Sequence, residues 1–406
     1  MVKKLIAFLC AFMYFASPYQ IANHALPEII GLCAIFLAFF QHKKIKMPEK
    51  YGVYFLYMLF IPPLVTLAQG IPGNYLASFV PIALIYYTIF FVLVFPQIDC
   101  GFFLSIYRSF VWLSVAFFII QEISFLLIGW RPTAYLPLDM CYDEFSSGSF
   151  GDMISSAKRS PSFFLEPAHF IQYIFPYYCL IAVRAIHKKK SIIEFLLITI
   201  VVILAQSGAG FVALLALTLF LLFANNGISL KRKCFATFII VLGASIVFYY
   251  FGASDFVLAL TERTKEFSFE VERYGAQSGF LRMWRGYFIY GSLSELSQVF
   301  GVAVGSFEYV SSRVFIDNVN YTGAYMNGIQ TLLVGGGIVG TFLFFRFIFH
   351  FYNKSCISGK AVLITMIAFF LVEHMYYTPK MCLCLLTAYC INKYYINEYR
   401  KKENYE

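Results

Sequence analysis

The chain alternates between long apolar runs and short polar or basic segments, and the runs have the length that a membrane helix needs. A helix crosses the roughly 30 Å hydrocarbon core of a bilayer in about 20 apolar residues. The pattern therefore predicts about twelve spans, all helical, because a chain inside lipid must satisfy its backbone hydrogen bonds within each segment. The predicted spans are Leu5–Ala16, Leu26–Gln41, Tyr51–Ala68, Tyr75–Phe95, Phe110–Gly129, Phe163–Val183, Ile192–Gln206, Phe211–Ala224, Phe235–Phe251, Gly328–Phe349, Ala361–Leu371 and Met381–Tyr394.

The composition agrees with this pattern. The chain of 406 residues is 60% hydrophobic and 13% charged, with a mean hydropathy of +0.72. Soluble domains carry about 25% charged residues. We therefore expect an all-α, polytopic integral membrane protein in which residues 1–406 form one transmembrane domain, with the lipid bilayer as its first partner.

The basic residues indicate how this domain is oriented. The net charge is +9, and most lysines and arginines gather in segments after alternate spans, for example 43–50, 188–190, 231–233 and 400–402. Cytoplasmic loops carry an excess of lysine and arginine, so the pattern places both termini in the cytoplasm and predicts no nucleic-acid partner. The first run also fits a cleavable signal peptide, but Ser17-Pro18 is a poor cleavage site and favours an uncleaved span.

Two larger polar loops, about 130–162 and 254–327, fall on the opposite side. Arg159 ends the first loop, seven positions before Glu166, and the second loop carries Arg282 and Arg285. Arginine grips phosphate oxygens with two parallel hydrogen bonds and stays charged away from water. Glu166 could act as a general base on a hydroxyl or orient an arginine; alternatively, Arg159 and Glu166 only pair with each other.

The sequence shows no motif for a metal site or for a nucleophilic triad. The six histidines are scattered, and no His-x-x-x-His or Cys-x-x-Cys pair occurs, so we predict no metal and no cofactor. Gly335-Gly336-Gly337 opens a span, where glycines permit close helix packing. No histidine is placed near Ser207, and a nucleophilic triad is therefore not indicated.

The stretch Arg159-Ser-Pro-Ser-Phe-Phe-Leu-Glu166-Pro-Ala-His-Phe resembles the Arg-x-x-(Ser/Gly)-x-Phe-x-Glu-Pro signature of the O-antigen polymerase and O-antigen ligase superfamily. Weaker matches follow in order at the turn 207–210, at 282–285 and at 301–307. An arginine that the family often has at the turn is missing from 207–210. The arginine-to-tryptophan spacing in 282–285 is shorter than in the family. The resemblance covers about residues 150–345.

This resemblance implies a fold similar to the GT-C glycosyltransferases and an enzyme of the bacterial inner membrane with its active site on the periplasmic face. The implied substrate is an undecaprenyl-diphosphate-linked oligosaccharide, and a chain-length regulator protein is a candidate partner. Glu373 with His374 could line the site, although core pairing or surface exposure competes with that interpretation. The implied catalytic residues are Glu166, Arg159 and Arg282, and the implied substrate-binding residues are Arg285, Ser207 and Asn327. Glu373, from its position at the end of a span, is a further substrate-binding candidate.

One position separates the branches of the superfamily. Ligases resemble His-(Asn/Ser/Gln), nine residues and Gly-x-x-(Gly/Thr/Tyr), with the histidine implicated in transfer. Here Asn327, Gly337 and Gly340 keep this spacing, but Met326 stands in the histidine's place. The departure favours a polymerase that transfers a growing glycan to an incoming lipid-linked repeat unit. A ligase, and a flippase or other transporter of the lipid-linked unit, are the alternatives.

Overall fold

The structure is a computed structural model of the chain. It describes residues 1–22, 24–41, 50–71, 79–133, 138–140, 159–188, 191–224, 231, 284–303, 306–313, 315–316, 319–320 and 326–403.

The described residues are mostly helical. Their helices are α1 (Val2–Phe15), α2 (Leu26–Gln41), α3 (Tyr51–Ala68), α4 (Phe79–Gln97), α5 (Cys100–Ile128), α6 (Pro167–Lys188), α7 (Ile192–Leu204), α8 (Gly208–Ala224), α9 (Gly286–Ser292), α10 (Glu295–Phe300), α11 (Phe307–Ser311), α12 (Gly328–Asn353), α13 (Ile357–Val372) and α14 (Pro379–Glu403). Two short antiparallel pairs complete the elements: β1 (Gln20–Ile21) with β2 (His24–Ala25), and β3 (Phe315–Ile316) with β4 (Val319–Asn320).

The expectation of an all-α membrane protein is confirmed at this level. Within the described ranges, α3, α5 and α12 are long and apolar enough to cross a membrane, and five shorter apolar helices accompany them: Leu26–Gln41, Leu84–Gln97, Ile192–Leu204, Gly208–Ala224 and Ile357–Val372. Large apolar side chains such as Phe40 and Leu126 are exposed along these helices, as lipid-facing surfaces require. The span predicted at Phe235–Phe251 lies outside the described residues, and the total of about twelve spans stays a prediction.

Some helix bounds differ from the sequence prediction. Helix α5 begins at Cys100 instead of Phe110, because Asp99 caps it by accepting a hydrogen bond from the backbone N–H of Phe102 at 3.1 Å. Aspartate at this position satisfies an N–H that has no partner inside the helix. Arg108 therefore lies within α5, where it pairs with Glu194 of α7.

Helix α6 lies at the centre of the bundle and packs against α5, α7, α8, α13 and α14. Its side chains are buried on nearly every face: Ile171, Tyr173, Ile174 and Phe175 have no exposed surface. A helix that is apolar all round belongs in the interior of a bundle. The segment of the sequence motif, residues 159–166, thus leads directly into the most enclosed helix of the molecule.

Long-range hydrogen bonds show which helix ends lie together. At one end of the bundle, Tyr14 of α1 bonds to the start of α6, and the residue before α12 bonds to the end of α13. At the opposite end, the backbone N–H of Asp99 bonds to the carbonyl of Lys3, and Cys356 bonds to Asn392 of α14. We call the first the site end and the second the basic end, because Lys3, Lys4, Lys354, Lys360 and Lys393 lie near the latter.

Helix α10 belongs to the second predicted loop, and the chain after it packs on α12 through glycine backbone. Gly301 has φ +83° and Gly337 has φ +63°, and a Cβ atom at Gly301 would lie 2.5 Å from the carbonyl oxygen of Gly335. Only glycine allows both this conformation and this approach. The glycines 335–337 therefore permit close packing, as predicted. Gly335 and Gly337 pack against the main chain of the loop at Gly301. Helix α12 bends at Gly337.

Candidate active site at the site end of the bundle

The segment 159–166 is anchored to α5 by a glutamine. The side chain of Gln121 accepts a hydrogen bond from the backbone N–H of Ser162 at 2.9 Å and donates to the carbonyls of Pro132 at 3.0 Å and Ser162 at 3.3 Å. The Ser162 hydroxyl donates to the carbonyl of Ser114 at 2.7 Å. A buried amide with its hydrogen bonds satisfied is rigid, so this part of the motif is held in one conformation.

A buried cation lies beside this anchor. The Arg131 side chain is 1% exposed, lies 3.6 Å above the ring of Phe125 and donates through Nε to Ser160 Oγ at 2.8 Å. Ser160 in turn donates to the carboxylate of Glu122, which is 3.6 Å from the Arg131 guanidinium. Burial lowers the pKa of Arg131, and the charge of Glu122 opposes that shift. Sequence reasoning did not single out Arg131. The available signal was the polar pair Gln121-Glu122 inside an apolar span.

The aromatic residues of the motif set the direction of Glu166. Phe163 stacks on Phe117 of α5 with ring centroids 4.3 Å apart, and Phe164 is completely buried against Tyr14 of α1. Helix α6 starts at Pro167 and not at Phe163 as predicted, because Ser162 has φ +57° and proline favours the first helical position. Glu166 therefore stands at the N-terminus of α6, where a carboxylate is favoured by the helix dipole.

Arg159 connects this segment to the turn between α7 and α8. Its guanidinium donates to the carbonyl of Gln206 at 3.1 Å. Ser207, next in the chain, accepts a hydrogen bond from the backbone N–H of Gly210 at 3.3 Å and is almost fully buried. The tight hairpin predicted around Ser207 is confirmed. Ser207 caps α8 here, and its contact with substrate stays a prediction.

A second group of predicted residues assembles at the start of α12. Asn327 and Gln330 form a reciprocal cap: the Asn327 side chain accepts from the Gln330 N–H at 2.9 Å, and the Gln330 side chain accepts from the Asn327 N–H at 3.2 Å. Asn327 also donates to the carbonyl of Leu371 at 2.8 Å, and the Gly328 N–H donates to the carbonyl of Glu373 at 2.9 Å. These bonds fix Asn327 and Glu373 side by side.

Arg285 lies next to this group. A Cβ atom at Gly286 would clash with the side chain of Gln330, which places the start of α9 directly on the first turn of α12. The Arg285 side chain is nearly fully buried, and burial lowers its pKa. Arginine keeps its charge even so. Arg285 is therefore a buried cation near the first turn of α12. Arg282 lies outside the described residues.

Tyr14 joins the two groups. Its hydroxyl donates to the carbonyl of His169 at 3.1 Å, and both Glu166 and Glu373 are within electrostatic range of it. The structure therefore brings Arg159, Glu166 and Ser207 to the same end of the bundle as Arg285, Asn327 and Glu373, and the C-terminal turn of α1 lies near both groups. Sequence reasoning missed Tyr14, because a tyrosine near the end of an apolar span has no distinctive signature.

The chemical groups described at this end include arginines, carboxylates, hydroxyls and the imidazoles of His169 and His374. Across the described ranges, no group of three or more His, Cys, Asp and Glu side chains is arranged to hold a metal ion. Comparison of the chain with family models, with curated proteins and with solved structures finds no match. A functional proposal therefore rests on the chemistry of these side chains. Fixed guanidinium groups suit an anion such as a diphosphate, and a carboxylate or imidazole can move a proton.

Proposed function

We propose that the chain is a polysaccharide repeat-unit polymerase of a bacterial inner membrane. It transfers a growing glycan from undecaprenyl diphosphate to the terminal sugar of an incoming lipid-linked repeat unit, on the periplasmic face. The observation that carries the proposal is the assembly of motif residues far apart in sequence, from Arg159 to Glu373, at one end of an apolar helical bundle.

The assigned roles follow from the chemistry of the side chains. Arg159, Arg282 and Arg285 hold the diphosphate and stabilise the charge that develops as it leaves. Electrostatic stabilisation by donors fixed in advance is usually the largest single contribution to such a reaction. Glu166 activates or orients the acceptor hydroxyl. Because the leaving group is already a diphosphate, the reaction needs no nucleotide.

A ligase is the second candidate function. The sequence argument against it was Met326 in the place of the transfer histidine, but the His374 ring makes a hydrogen bond to the main chain of Met326. A histidine from another element thus lies beside the main chain of that position. Deletion of the gene separates the candidates: loss of a polymerase leaves single capped units, whereas loss of a ligase leaves long lipid-linked polymer. Substrate trapped on the inner leaflet would instead indicate a flippase.

Complementation of the deletion strain tests the site. We expect Arg159→Ala and Arg282→Ala to lower polymer synthesis roughly 100-fold or more, because each removes a donor to a developing anion. Glu166→Gln should also lower it. Polymer length and amount would be read from electrophoretic ladders at matched protein levels. Arg313→Ala is the matched control, since Arg313 is exposed and stacks on Tyr309 in the same loop. Normal ladders in all three site variants would refute the assignment.

A further inference from the structure

His374 lies on the link between α13 and α14, and the start of α12 holds this link from both sides. Asn327 donates to Leu371, the Gly328 N–H donates to the carbonyl of Glu373, and His374 Nδ1 is 3.4 Å from Thr331 Oγ1. The Thr331 hydroxyl donates to the carbonyl of Asn327 at 2.9 Å. The imidazole is therefore positioned by the same capped helix terminus that positions Asn327.

The surroundings of His374 are those of a recess. The residue is exposed to solvent, yet burial lowers its pKa to about 4, with a smaller contribution from the positive charge of Lys380 on α14. A side chain on a convex surface would be exposed without such burial. His374 thus has protein on most sides and an opening on one, and its ring is neutral at pH 7.

A neutral imidazole has one N–H and one nitrogen lone pair. The hydrogen bond to the Met326 main chain favours the protonated ring, so the ring donates and the carbonyl accepts. That contact uses the N–H and leaves the second nitrogen able to take a proton. A group of this kind at an accessible recess is suited to general base catalysis.

The geometry points to His374 as the residue that accepts the proton of the attacking sugar hydroxyl, with the acceptor sugar bound at the Glu373–His374 link. This inference rests on the proposed transfer of a glycan. In that step the hydroxyl oxygen bonds to the anomeric carbon of the donor glycan. The bond from this carbon to the diphosphate oxygen breaks, the electron pair leaves with the diphosphate, and the hydroxyl proton moves to His374. Glu166 then has a positioning role.

The test uses purified full-length protein in lipid nanodiscs, with lipid-linked repeat units extracted from the deletion strain as substrate. His374→Gln and His374→Asn both keep an N–H donor for the Met326 carbonyl but cannot take up a proton near neutral pH. We expect kcat to fall roughly 100-fold or more, with KM nearly unchanged. His350→Gln makes the same substitution near the basic end of α12 and should leave kcat unaltered.

A second measurement separates proton transfer from a structural role. In His374→Ala, added imidazole should restore several-fold of the lost rate, since it supplies the missing base in the vacated recess. Activity of His374→Gln or His374→Asn close to the unmodified protein, or no gain with imidazole, would overturn the inference while leaving the proposed function intact. If the unmodified protein forms no polymer and its deletion leaves the cell's polysaccharide unchanged, the proposed function fails and this inference fails with it.

Discussion

The two ends of the bundle hold their arginines in different ways. At the site end, the Arg131 side chain is 1% exposed and is bound by Ser160, Glu122 and the ring of Phe125. At the basic end, the Arg108 side chain is 55% exposed and pairs with Glu194, which also accepts from Tyr177. A charge away from water acts more strongly on its neighbours than a solvated one. The site end therefore holds this charge fixed inside the protein, whereas the basic end exposes its charge to solvent.

The largest expected effect comes from breaking the buried cluster. Arg131→Ala should lower the free energy of unfolding by about 2–3 kcal/mol, because it removes a buried side chain that bonds to Ser160 and stacks on Phe125. Thermal unfolding in detergent measures this change. Arg108→Ala is the counterpart at the basic end and should cost at most about 1 kcal/mol, as exposed pairs do. Equal losses in the two variants would show that the ends do not differ in this way.

A smaller effect should follow at the start of α12. Asn327→Ala removes the helix cap and the bond to Leu371, and we expect it to cost about 1–2 kcal/mol of stability. Cys356 is the matching control, since it precedes α13 at the basic end and makes no side-chain cap bond. Cys356→Ala should change the unfolding temperature much less. A larger loss for Cys356→Ala would contradict the contribution assigned to the Asn327 cap.

The smallest effect concerns pH. His374 must be neutral to accept a proton, so activity should fall only as the pH approaches its pKa of about 4. The groups around the ring are Lys380 on α14, Thr331 on α12, the Met326 carbonyl and the adjacent Glu373. Lys380→Gln removes a charge that lowers this pKa, so the acid limb of the kcat profile should move to higher pH. Lys360→Gln, near the basic end, should leave the acid limb of the profile in place. A shift of this limb toward lower pH in Lys380→Gln would contradict the role of His374 as the proton acceptor.

Much of the fold could be predicted because its signals are local. Apolar runs of membrane length gave the helical membrane class, and the short polar turn at Ser207 gave the hairpin of α7 and α8. Helix bounds were less predictable. Helix α5 begins at Cys100, where Asp99 caps it, and its first turns include Arg108, whose partner Glu194 is far away in the chain.

The candidate site likewise has features that the sequence predicts and features that depend on the fold. The sequence alone determined which residues are candidates, since Arg159, Glu166, Asn327 and Glu373 all stand where polar segments meet apolar runs. Only the tertiary structure decided that Tyr14 lies within electrostatic range of both carboxylates and that His374 contacts Met326. The physical reason is that hydrophobic pattern depends on near neighbours in the chain, whereas burial and hydrogen bonding depend on which helix ends meet.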